Sequence, residues 1–245
     1  MKKNLIKVLL VLSLVILPLQ AISALKDAGY ISVNTNKNME VEPDTAEISF
    51  SIKSYNNKSM QVAKENNKLV SQKVISELKT MINDKNGDFI KTSNFSANPI
   101  YSYKDSKKIF EKYEVSNTII VKTKSLDEVG KMIDSAITSG ATNVQNLSFS
   151  LSNYETQCNK LIVEAVKSSK TRAKDIATAL GTELDGVKTL DSSCSTNNYN
   201  IPRVYMAKNM MMADGTASNE TSSVPIEAGT IKLNANINAT YYVTH

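Results

Sequence analysis

Hydrolytic triads and most zinc sites depend on imidazole, and this chain carries one histidine, His245, at its very end. Chain ends are poorly tied down, so histidine-based catalysis is not expected here. A glycosidase-type mechanism needs two carboxylates flanking one bond. The nearest candidates, Asp44 and Glu47, sit beside Pro43 in a turn and on an alternating strand, where solvated structural roles account for both. The eight glycines fall singly, at the ends of periodic segments, rather than in G-x-G-x-x-G or Walker spacing, so no nucleotide cofactor is indicated. With no catalytic, cofactor or metal site expected, the chain reads as a non-enzyme.

Sulfur offers the remaining chemistry. Cys158 and Cys194 are far apart in sequence, but a helix running from Cys158 to Gly181 spans about 34 Å at ~1.5 Å per residue. A returning strand from Gly186 to Cys194 covers up to about 26 Å, so the two sulfurs can meet. A structural disulfide is the expectation in an oxidising compartment. Two separated thiols, with Cys158 a small apolar residue on a helix stripe, is the alternative. Met206, Met210, Met211 and Met212 raise copper(I) binding or oxidant scavenging, because thioethers are soft ligands and oxidise readily. Clustered methionines in a loop serve more often as an adaptable apolar contact surface, and that is the reading taken for this possible interaction loop. Asn-x-Ser triplets such as Asn57 with Ser59 and Asn94 with Ser96 arise by chance in an Asn- and Ser-rich chain.

The elements that must position these residues begin after a leader. Lys2, Lys3 and Lys7 precede an apolar run from Val8 to Leu19, and Pro18, Ala21 and Ala24 suggest cleavage, so residues 1–24 read as a signal peptide. An uncleaved anchor over Leu5 to Leu25 is the competing reading. Losing the leader's three lysines lowers the formal charge from +5 to +2, which leaves no concentrated basic patch and argues against nucleic acid as a partner. Residues 25–245 then form the mature chain, long enough for one large domain or two small ones.

Tyr30 to Val33 and Ala46 to Ile52 have strand character, with Glu42, Pro43 and Asp44 as a turn between them, and the pair reads as an antiparallel hairpin. Ser59 can cap a helix to about Ile82, with Val62, Leu69, Val70, Val74, Leu78 and Met81 as its apolar positions. Phe89 to Tyr103 and Ile109 to Lys124 look like a second, longer hairpin with a charged tip at Lys104 to Lys108. Leu126 to Ile137 forms a short helix stopping at Gly140, and Val144 to Leu151 a strand. Tyr154, Cys158, Leu161, Ala165, Ile176 and Leu180 recur at helical spacing up to Gly181. Val187 to Leu190 leads as a strand to Cys194, and Ile231 to Val243 alternates as a closing strand. Between them, 195–224 is a long Met-, Asn- and Ser-rich loop, a length that usually signals function.

Strands and helices do not alternate regularly, which disfavours a doubly wound sheet. The fold class is α+β: antiparallel-dominated sheet or sheets with helices on one face, with two hairpin-plus-helix units as a candidate duplication.

Several local patterns now coincide with one family. Pro43, Asp44 and Ala46, then Gly140, Ala141, Thr142 and Asn143, then Glu164 to Gly181 written EAVKSSKTRAKDIATALG, and Pro225, Ile226 and Gly229 after the Met-rich loop resemble the SIMPL-domain (YggE-like, DUF541) family from about Tyr30 to Val243. One departure stands out: Asn34, Thr35 and Asn36 occupy positions where members usually carry glycines after the first strand. The resemblance implies a periplasmic or outer-membrane-associated protein without a known reaction. It also implies ring-shaped homo-oligomers and oxidative-stress tolerance, as in some relatives. The resulting expectation is an exported envelope protein acting through assembly, with a periplasmic ligand- or partner-binding module as the alternative.

Overall fold

The computed structural model describes residues 29–197 and 225–244. The leader, the four loop methionines and His245 lie outside the described residues. Ten main elements follow in the order read from the sequence: β1 (Tyr30–Val41), β2 (Thr45–Asn56), α1 (Met60–Lys79), β3 (Phe89–Lys104), β4 (Lys107–Thr123), α2 (Val129–Thr138), β5 (Asn143–Ser150), α3 (Tyr154–Ala179), β6 (Glu183–Asn197) and β7 (Ile231–Thr244).

They assemble into two antiparallel sheets, ordered β1-β7-β6 and β3-β4-β2-β5. The first hairpin expected from sequence therefore does not form. β1 pairs with β7, near the other end of the chain, while β2 is flanked by β4 and β5. A short turn beside Pro43 satisfies local geometry for a hairpin and for a change of sheet equally well, so the long-range partners decide. β1 also runs unbroken through Asn34, Thr35 and Asn36 to Val41, so no turn occurs where the family's glycines are replaced. β7 is a central strand rather than a closing edge.

In the four-stranded sheet, Ala46, Ile48, Phe50 and Ile52 of β2 and Val115, Ile119 and Val121 of β4 point to one side and are fully buried under α1 and α2. Removing each larger side chain from water contributes about 1.5–3 kcal/mol. Helix α1 starts where Ser59 accepts a bond from the Val62 N–H at 3.3 Å, as expected of an N-cap. Its buried stripe differs from the expected one. Val62 and Leu69 are exposed, and Ala63, Asn67, Ser71, Val74 and Leu78 face the sheet. Buried amides and hydroxyls need partners, and Asn67 donates to the Ile52 and Val115 carbonyls at 3.1 and 3.2 Å while Ser71 and Asn117 bond to each other. Helix α2 ends at Gly140, whose φ of 113° and close approach to Val70 leave no room for a Cβ: the ideal atom would lie 2.8 Å from Val70 Cγ1.

The three-stranded sheet packs on α3. Ile31 and Val33 of β1, with Leu233, Ala235, Ile237, Ala239 and Tyr241 of β7, meet Cys158, Leu161, Ala165, Ala173 and Ala177. Small residues along α3 let the helix lie close to the sheet. Ser169, fully buried among them, bonds with the Tyr241 hydroxyl at 3.1 Å. Ile176 and Leu180, expected on this stripe, are exposed, and Gly181 closes the helix with φ 70°.

Candidate functional site

Asp44 and Glu47 do not form an acid–base pair. Asp44 Oδ1 accepts from the Ser152 N–H at 2.7 Å and from Thr45 Oγ1 at 2.9 Å, and Oδ2 accepts from Ser152 Oγ at 2.6 Å. Burial alone would raise this carboxyl. The bonds from the Ser152 side chain and backbone, the Thr45 bond and the nearby Lys124 charge outweigh it and hold the group below its ordinary value. Asp44 is thus a clasp that ties the start of β2 to the turn entering α3. A second carboxylate, Asp88, is buried and accepts from the Asn83 and Lys124 N–H groups and from Thr123 Oγ1. It was not singled out in the sequence; its only signal there is a lone acidic residue beside Gly87. Among the described residues no group of three or more His, Cys, Asp or Glu side chains is gathered where an ion could be held.

The structure brings Cys158 and Cys194 together, with Cα atoms 5.8 Å apart and sulfurs at bonding distance. Cys158 occupies the first turns of α3 and Cys194 lies in β6, so the pair staples the helix start to an edge strand. Tyr154 reinforces the junction, its hydroxyl donating to the Cys194 carbonyl at 3.3 Å. Beside it lies an open cleft of about 230 Å³ lined by Phe149, Ser150, Leu151, Tyr154, Thr196 and Ile231.

The most distinctive surface is the hairpin of β3 and β4. β2 accompanies β4 only as far as the Asn56–Tyr113 pair, so residues 100–112 project beyond the sheet as a two-stranded arm. Asp105 and Ser106 at its tip both have positive φ, as a tight two-residue hairpin turn requires. A register shift between Ile100 and Tyr101 lets Phe110 meet both Tyr101 and Tyr113, with ring centroids 5.9 and 4.9 Å apart. Lys108 Nζ lies 3.9 Å from the Tyr101 ring and Lys112 Nζ 4.0 Å from the ring of Tyr55. These aromatics cover no core. Tyr103 is 73% exposed and Phe95, further down β3, 61%, with Ile109, Tyr101 and Phe110 also exposed.

The two cores, the clasp and the arm all fall within a single stretch that comparison with known families recognises. The family described as SIMPL, a protein of unknown function (DUF541), matches residues 31–241, from β1 into β7. The chain belongs to the SIMPL family. This SIMPL chain is similar to the 26 kDa periplasmic immunogenic protein of Brucella melitensis, 25% identical over 218 residues that make up 87% of the chain and 84% of the relative. The Brucella abortus protein of the same name matches to the same extent. The uncharacterized protein YggE of Escherichia coli is 22% identical over 184 residues, 75% of the chain and 73% of the relative. In this SIMPL chain, Pro43 and Asp44 lie at the clasp and the Gly140 to Asn143 signature at the close approach to α1, so these two family motifs mark packing and chain-direction constraints. The arm has no such mark, and its sequence signal is the run of aromatics and lysines around 101–113.

Proposed function

We propose that this SIMPL protein is exported to the periplasm, with residues 1–24 removed on the way, and works there through self-assembly rather than catalysis. The leader's pattern and the periplasmic relatives from Brucella support this location. The assembly reading is carried by the projecting arm. An aromatic cluster held in fixed geometry on a free hairpin contributes nothing to the protein's own cores, and exposed rings of this kind are characteristic of surfaces covered by a partner. A second copy is the partner chosen, with the 195–224 loop as a further contact. The proposed role is in envelope or oxidative-stress tolerance, which rests on the family resemblance.

Size-exclusion chromatography with multi-angle light scattering tests the reading. A defined multimer is expected, and Tyr103→Glu is expected to weaken it. A monodisperse monomer across concentration would overturn it. The cleft beside Tyr154 supports a second reading, a binding module for a small periplasmic ligand, since it combines apolar walls with hydroxyls from Ser150, Tyr154 and Thr196. A ligand-dependent rise in melting temperature that Tyr154→Ala abolishes would favour it.

A further inference from the structure

The four sheet edges are not equally protected. β3 carries Pro99 and register shifts at Ser93/Ser96 and Ile100/Tyr101, and β6 shifts at Leu184/Gly186 and Val187/Thr189. β5 has only eight residues. Prolines, bulges, shortness and charged side chains are among the devices that keep an edge from recruiting another strand. β1 is the least blunted: its twelve residues pair with β7 without a register shift, contain no proline, and carry Lys37 and Glu40 as their only charges.

The direction of its backbone groups is settled by one bond. The Val243 N–H donates to the Gly29 carbonyl, so Gly29 and every second residue after it bond to β7. Tyr30, Ser32, Asn34, Asn36, Asn38 and Glu40 therefore direct their N–H and C=O groups to the open edge. Among the described residues one of these groups is engaged: the Asn34 carbonyl accepts from Arg172 Nη1 at 2.5 Å and keeps a second lone pair.

We infer that β1 is a strand-addition edge and that its occupant is β1 of a second copy, antiparallel about a two-fold axis at Asn36. This rests on the assembly reading and names its contact. A strand that adds to β1 must bring a row of unpaired backbone groups, and among the described edge strands β1 is the long one that offers such a row without a proline or a register shift. The register centred on Asn36 is self-consistent. Ile31 faces Val41 of the other copy, Val33 faces Met39, Ser32 faces Glu40, and Lys37 faces Thr35, so apolar residues meet and no like charges are opposed. The two three-stranded sheets become one of six strands. Because the contact is isologous it closes on itself, leaving the arms free to make further contacts.

The test uses the exported protein, expressed with residues 1–24 in place and purified from the envelope fraction. Asn36→Pro removes an edge-facing N–H without touching the β1–β7 ladder. It is expected to lower the particle mass by about twofold or more, as loss of a two-fold contact requires, with the circular dichroism spectrum unchanged. If that variant fails to fold, Asn36→Lys places like charges on the axis and is expected to have the same effect. Asn36→Cys is expected to give a disulfide-linked dimer on a non-reducing gel. A wild-type multimer whose mass survives both blocking substitutions, with no cross-link from Asn36→Cys, would overturn the β1 contact and leave assembly through the arm standing. A wild-type monomer would overturn both.

Discussion

Reducing the Cys158–Cys194 pair is the sharpest test of how the α3 layer is held. The two residues are separated by 36 positions, and in the chain-entropy treatment a bridge closing a loop of that size removes about 13 cal/mol/K from the unfolded chain, or about 4 kcal/mol at 25 °C. Because the bridge joins the start of α3 to β6, its loss acts on the core built from Leu161, Ala165, Leu233 and Ile237 rather than on the core beneath α1. At the scale of a chain this long, 4 kcal/mol corresponds to a fall in melting temperature of about 8 to 16 °C. The assay is urea and thermal unfolding with and without reductant, alongside Cys194→Ala, which removes the bridge while leaving the better-buried Cys158 in place. Thiol titration of the unfolded, unreduced protein is expected to find no free thiol. Two free thiols there, or unfolding curves that reductant does not move, would refute the reasoning.

Three further outcomes follow from the same structure. Asn67→Ala leaves the Ile52 and Val115 carbonyls without their buried donor and is expected to cost about 1–3 kcal/mol in urea unfolding, whereas Lys68→Ala on the exposed face should be nearly neutral. Gly140→Ala forces a Cβ against Val70 in a backbone conformation unfavourable to it, and should destabilise by about 1–3 kcal/mol, with Val70→Ala recovering part of the loss in a double-mutant cycle. Asp44 has its folded pKa held below the ordinary aspartate value, so its stabilising contribution is fully present above that ordinary value and is lost as pH falls through the folded pKa. The stability gap between wild type and Asp44→Asn should therefore be constant near neutrality and close in acid, as read by urea midpoints across pH.

The local features that act within one element were legible in the sequence. Ser59 as a cap, Gly140 and Gly181 as helix stops, and the alternation of β2 and β7 set ten elements in their correct order, because capping, φ > 0 and period-two burial are decided by neighbours along the chain. The candidate site was legible in part: the exposed hairpin could be read from its two strands and charged tip, and the possibility of a Cys158–Cys194 meeting from element lengths. Tertiary structure decided the rest. Which strand lies beside β1 depends on β7, some two hundred residues away, and a turn at Pro43 is compatible with either partner. The buried side of α1 was settled by Asn67 and Ser71 finding acceptors and donors in β2 and β4, a possibility that hydrophobic spacing cannot register. Whether an edge is open or blunted is likewise invisible until the pairing is known, because a bulge and an outward-facing N–H are properties of two strands in register and not of either one alone.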